Sequence, residues 1–141
     1  MTDTNRLHPF APAAPLAAAR SLRVSVNELS GRPGARRFIG AHHGRLPISL
    51  FLVDDGPGAG PRLHRHPYAE VFVVQEGEAR FEIDELRLTA TAGDILIAPA
   101  MSTHRFTNAG ESQLRLTAIH TAPDMDTDWL EPTTDPRSAA C

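Results

Sequence analysis

The sequence contains no lysine; all fourteen of its basic residues are arginine. That excludes a Schiff-base lysine and a lysine general base. The single cysteine is the last residue, Cys141, so no intramolecular disulfide can form and nothing points to an oxidising compartment. A thiol at a chain end is also poorly placed to act as a positioned nucleophile. No apolar run approaches the length of a membrane span. The N-terminus lacks the charged-then-apolar order of a signal peptide. The formal net charge is -3 and no long run carries one sign, which makes nucleic acid and anionic membrane poor partners. Neither a serine-nucleophile context nor a phosphate-binding loop is present. The expectation is a soluble, cytoplasmic protein.

What is there is strand after strand. A chain of 141 residues that is 41% hydrophobic suits one domain with one core. Residues 1–20 read as a poorly patterned, Pro/Ala-rich arm, and residues 124–141 as a polar tail in which "DTDWLE" forms one short helical turn. Between them, residues 22–29 alternate apolar and polar, the period of a half-buried strand. Further strands are expected at 36–43, 47–53, 70–75, 78–84, 86–91, 94–99, 103–108 and 113–121, separated by the turn segments "DDGPGAGP", "EGE", "TAGD" and "NAGES". No long stretch holds a helical period. Many short strands in about a hundred residues predict an all-β sandwich or barrel spanning residues 21–123.

The stretch "HRHPYAE", residues 64–70, carries the chemistry. Residues two apart in a strand share a face, so His64 and His66 point the same way and both can reach one ion. Glu70 is a different matter. In an unbroken strand it would lie roughly 20 Å from His64, at about 3.3 Å per residue. Ligands held at about 2 Å from one metal cannot be anchored so far apart. If Glu70 is a ligand, the chain must turn between His66 and Glu70, and Pro67 supplies the break. A second histidine-bearing segment, "GDILIAPAMSTHRFTN", brings His104 to the start of a later strand. Three imidazoles and one carboxylate would leave open positions on an octahedral metal.

The spacing of these residues resembles the cupin family. Gly58, His64, His66, Glu70 and Gly77 match its first motif, and Gly93, Pro99, His104 and Asn108 its second. The chain looks like a single-domain bacterial cupin, a double-stranded β-helix or jelly roll with short irregular arms. The family usually carries glycine two residues after the second-motif proline; this chain has Met101, which puts the turn there in question and brings a thioether near the site. By resemblance His64, His66, Glu70 and His104 are the ligands of one divalent first-row metal ion (Fe, Mn, Ni, Co or Zn).

Strand parity extends the picture. Phe72 and Val74 share the face of Glu70, Phe106 that of His104, and Leu114, Leu116, Ala118 and His120 one face of the last strand. Phe72, Met101, Phe106 and Leu116 are therefore the expected lining of an apolar cup, with plain core packing as the alternative. His120 is the candidate catalytic residue, a donor or proton carrier beside the metal, unless it is simply a satisfied core histidine. Tyr68 reads as exposed, with gating of the mouth as the alternative. Val71 and Val73 face away from the cup yet are apolar, which calls for a cover on both faces and predicts a homodimer. The expected activity is that of a metal-dependent enzyme acting on a small organic substrate, an oxygenase. The alternatives are a binding or sensing cupin without turnover and a Lewis-acid isomerase or lyase.

Overall fold

The computed structural model describes residues 21–131. The expected N-terminal arm and the end of the tail, with Cys141, lie outside this range. Eleven strands follow one another: β1 (Ser30–Arg32), β2 (Ala35–Phe38), β3 (Ser49–Asp55), β4 (His64–Arg65), β5 (Glu70–Glu76), β6 (Glu78–Ile83), β7 (Leu86–Thr91), β8 (Ile95–Ala98), β9 (His104–Asn108), β10 (Leu114–His120) and β11 (Asp128–Trp129). They form two antiparallel sheets, one in the order β1-β2-β3-β10-β5-β8 and the other β11-β4-β9-β6-β7. This is the all-β architecture that the strand pattern predicts, in the jelly-roll form that the cupin resemblance implies.

The alternation that suggests strands also decides what they bury. In β5, Glu70, Phe72 and Val74 are buried while Val71 and Val73 are only partly so; in β10, Leu114, Leu116, Ala118 and His120 are buried. Both inner faces meet in one apolar core, and at its centre the rings of Phe72, Phe81 and Phe106 stand 5.1–5.9 Å apart. Tilted and edge-on contacts of this kind suit the ring quadrupoles.

Two strand registers bring the polar residues of the interior together. His64 pairs with His104 across β4 and β9, and Glu70 pairs with His120 across β5 and β10. All four lie at strand ends on the same side of the core. Pro67 lies between β4 and β5, where the change of sheet occurs.

Three expected elements differ. Residues 22–29 do not form a strand. Val26–Glu28 make a 3-10 turn, because the Ser25 side chain accepts from the Asn27 amide and the Glu28 carboxylate accepts from the Ser25 amide. This reciprocal cap outcompetes the alternation. The strand expected over 36–43 stops at Phe38, and Gly40–His42 form a second 3-10 turn. His43 then stacks on Phe38 with ring centroids 4.2 Å apart, while His42 is exposed. The helical turn expected in "DTDWLE" is instead β11, which gives β4 a partner on its free side. The Leu130 amide donates to the Leu63 carbonyl and Arg62 lies 4.2 Å over the Trp129 ring. Residues 121–131 thus run along the body as a strap. Its start is pinned by the Ser49 hydroxyl, which lies 2.9 Å from the Ala122 carbonyl and 3.0 Å from that of Pro123.

Candidate metal centre

His64, His66, Glu70 and His104 come together with one donor atom from each, all within 4.8 Å of one another, and all four residues are buried. Their backbones explain the convergence. His64 and His66 share one face around β4, His104 opens the neighbouring strand β9, and Glu70 opens β5 after the Pro67 turn.

The imidazoles are oriented from behind. The Nδ1–H of His64 donates to the Arg62 carbonyl at 2.6 Å, that of His66 to the Asp126 carbonyl at 2.7 Å, and that of His104 to the Ser102 carbonyl at 2.9 Å. A carbonyl can only accept, so each Nδ1 carries a hydrogen and each Nε2, with its lone pair when the ring is neutral, points inward. What those lone pairs meet is a carboxylate. Glu70 Oε2 lies 2.7 Å from His104 Nε2 and 3.0 Å from His66 Nε2. Lone pair against carboxylate oxygen is repulsive, and either a proton on Nε2 or a metal ion between them relieves it. His64 Nε2 and His66 Nε2 are moreover buried without a hydrogen-bond partner. A cation bound by all four residues satisfies every one of these atoms, so the donor set fits a metal ion.

The electrostatics agree. Burial, then the neighbouring His104, push the His64 imidazole down from 6.5 to about 3, outweighing the Arg62 carbonyl and Glu70, so it stays neutral and available. Burial alone would raise the Glu70 carboxyl, but contacts from His104, His120 and His66 hold it well below its usual range. Both are in the form a metal needs.

His120 faces inward, as its parity predicts, with Nε2 3.1 Å from Glu70 Oε1. Tyr68 is not a simply exposed residue. Its hydroxyl lies 2.8 Å from His120 Nδ1 and accepts from the Asp126 amide at 3.0 Å, and its ring stacks on His66 at 5.0 Å and 7°. Parity is the signal that points to it, since 64, 66, 68 and 70 are all even. Phe72 packs beneath the site with its ring 5.9 Å from that of His104, and Phe106 and Leu116 are fully buried with it in the core. Met101 does not join them. The residue is 53% exposed and takes a left-handed conformation with φ 65°, and its backbone amide donates to the His66 carbonyl at 2.7 Å. The turn normally made by glycine is kept by strain at Met101. Asn108 ties a turn, donating to the Asp55 and Ser112 carbonyls and accepting from the Gly110 amide. Arg65 pairs with Asp128.

Residues 51–120 match the cupin domain model. The chain belongs to the cupin family. It is 25% identical over 142 residues to Auxin-binding protein 1 of Arabidopsis thaliana, covering 89% of this chain and 72% of that protein. It is 31% identical over 86 residues to Polyketide synthase CurC of Streptomyces cyaneus, covering 60% of this chain but only 53% of that protein. Among solved structures it is similar to an oxalate oxidase, with a TM-score of 0.66 and 20% identity over 86% of this chain and 68% of the other; another structure of oxalate oxidase contains the substrate analogue glycolate. At that identity the likeness is one of fold.

Proposed function

We propose that this cupin holds one divalent first-row metal ion at His64, His66, Glu70 and His104, and uses it as an oxygenase acting on a small organic substrate. The observation that carries the reading is the convergence of three carbonyl-pinned imidazoles and one carboxylate in a buried interior. Four protein donors leave two positions on an octahedral ion, where Fe(II) would supply redox chemistry toward O₂. The chain's own residues do the rest. His64, His66 and His104 hold the ion in one orientation, Glu70 offsets part of its charge, and Phe72 closes the floor against water. His120 and Tyr68 stand beside Glu70, not among the four ligands. Oxalate and glycolate, which name the reaction of one structural neighbour and the molecule in another, are the first compounds to try, with phenols and diketones after them.

Binding without turnover is the second reading, favoured by the similarity to Auxin-binding protein 1. Oxygen uptake by the Fe(II)-loaded protein and calorimetric binding, measured with the same compounds, separate the two. Substrate-dependent uptake supports the oxygenase. Binding with neither uptake nor product overturns it in favour of a binding cupin, and failure to take up any of Fe, Mn, Co, Ni or Zn overturns both.

A homodimer belongs to the same reading. Ile95 and Ile97 on β8 are 64% and 63% exposed, and they lie opposite Val73 and Val71 in register. Since β8 ends its sheet, this face combines an apolar patch with an open strand edge, which suits a second copy of the chain.

A further inference from the structure

We propose that Tyr68 is a positioning residue, whose hydroxyl sets His120 in the Nε2–H form so that His120 presents a hydrogen to the outer oxygen of Glu70. The inference rests on the metal reading above and adds to it a residue that supplies no metal donor of its own.

The geometry leads there in three steps. Glu70 uses Oε2 toward His66 and His104, which leaves Oε1 facing His120 Nε2 at 3.1 Å. Both Oε1 and that Nε2 are buried and neither makes a hydrogen bond of full geometry, so the two stand close enough to pair without being locked together. A carboxylate oxygen accepts, so the pair forms only when the hydrogen sits on Nε2. A neutral imidazole carries one N–H, so Nδ1 of His120 is then the acceptor. The O–H 2.8 Å from that Nδ1 is Tyr68, and its oxygen is held in place by the Asp126 amide at 3.0 Å.

The result is a division among neighbouring rings. His64, His66 and His104 carry their hydrogen on Nδ1, because backbone carbonyls demand it. His120 carries it on Nε2, because a hydroxyl stands where a carbonyl stands for the others. The three can give lone pairs to a metal, whereas the fourth offers a hydrogen to the carboxylate that helps to bind it. This explains why His120 lies among the ligands without being one. One branch of the network ends on the Asp126 peptide N–H, which does not exchange its proton in catalysis. The branch therefore holds Glu70 in orientation and is not a proton wire. Tyr68 does a second job with its ring, which lies flat on His66, so Tyr68→Phe removes the hydroxyl while leaving the stack.

The test is ¹⁵N NMR of the imidazoles in the full-length, Zn(II)-loaded protein, which is diamagnetic. His120 should show a protonated Nε2 and a bare Nδ1, with the other three rings protonated at Nδ1. In Tyr68→Phe the His120 pattern should shift toward Nδ1–H, and Zn(II) affinity should fall about 10-fold, at the lower end of the effect of removing an outer partner of a metal ligand. A wild-type His120 protonated at Nδ1, or at both nitrogens, overturns the proposal. So does a variant whose His120 pattern is unchanged. Should the variant fail to fold, the wild-type spectrum decides alone. Should Zn(II) not bind, the metal reading falls, while the His120 pattern of the zinc-free protein, wild type against variant, still decides the role of Tyr68.

Discussion

Acid should unfold the metal-free protein through His64 before the carboxylates take part. The folded chain holds this imidazole at about 3 against 6.5 in an ordinary environment, with burial the largest cause. Between those values the unfolded chain binds a proton on His64 and the folded chain does not. Stability therefore rises with pH through this window, is complete above 6.5, and is lost as pH falls. From pH 6.5 to pH 5 the loss spans about 1.5 pH units at about 1.36 kcal/mol each, or about 2 kcal/mol from His64 alone. Glu70 shifts in the same direction, downward, with the same consequence at lower pH. Its folded carboxyl lies well below 4.5, so its stability is present above that value and its loss begins only there, below pH 5. Urea unfolding in the presence of a chelator, at pH 7 and pH 5, measures the effect in wild type and in His64→Gln. The wild type should lose about 2 kcal/mol more than the variant, with His64→Asn as the second choice if the first does not fold. Equal losses in wild type and variant would refute the neutral, desolvated His64 and with it the orientation argument for the site.

Three other outcomes are expected. Metal analysis after loading should find close to one ion per chain, and His66→Ala and His104→Ala should each lose it; a variant that keeps a full complement would remove that residue from the ligand set. Light scattering at tens of micromolar should give a dimer, and Ile97→Lys should yield a folded monomer, since a charge at this exposed position meets water in the monomer but an apolar face in the pair; a monomeric wild type ends the argument. Met101→Gly should stabilise the fold by up to about 1 kcal/mol, as relief of a left-handed residue costing about 1–2 kcal/mol outweighs the roughly 0.4–1 kcal/mol lost to glycine's freedom in the unfolded chain. Thermal unfolding reads this, and a lower midpoint would show that the methionine side chain contributes packing despite its exposure.

The four converging residues are legible in the sequence because their spacing resembles the two cupin motifs, and strand geometry is consistent with that spacing. Parity puts His64 and His66 on one face, and the reach of an extended chain requires the break that Pro67 makes. Parity also turns His120 inward. What escapes the sequence has a common origin in contacts that residue type does not encode. Backbone carbonyls orient three of the imidazoles, and a carbonyl carries no residue identity: at position 126 any amino acid offers the same acceptor to His66. Ser25 and Glu28 form a cap where alternation alone suggests a strand, a local contest that the period does not register. Tyr68 is harder to place than its even-numbered neighbours, because it sits in the turn between β4 and β5, where parity is a weaker guide to direction. The short β11 cannot be foreseen from "DTDWLE", as its existence depends on the free edge of β4.

The strap formed by residues 121–131 has a bearing on how the protein is made. His66 finds its acceptor in Asp126, 60 positions later, and Tyr68 finds its donor in the same residue's amide, 58 positions later. A ribosome delivers β4, β5, β9 and β10 first, and with them all four converging side chains. During that interval His66 has not yet met its carbonyl, nor Tyr68 that amide. Both rings are locked only when the strap is docked, so the centre has its final shape only with residue 126 in place.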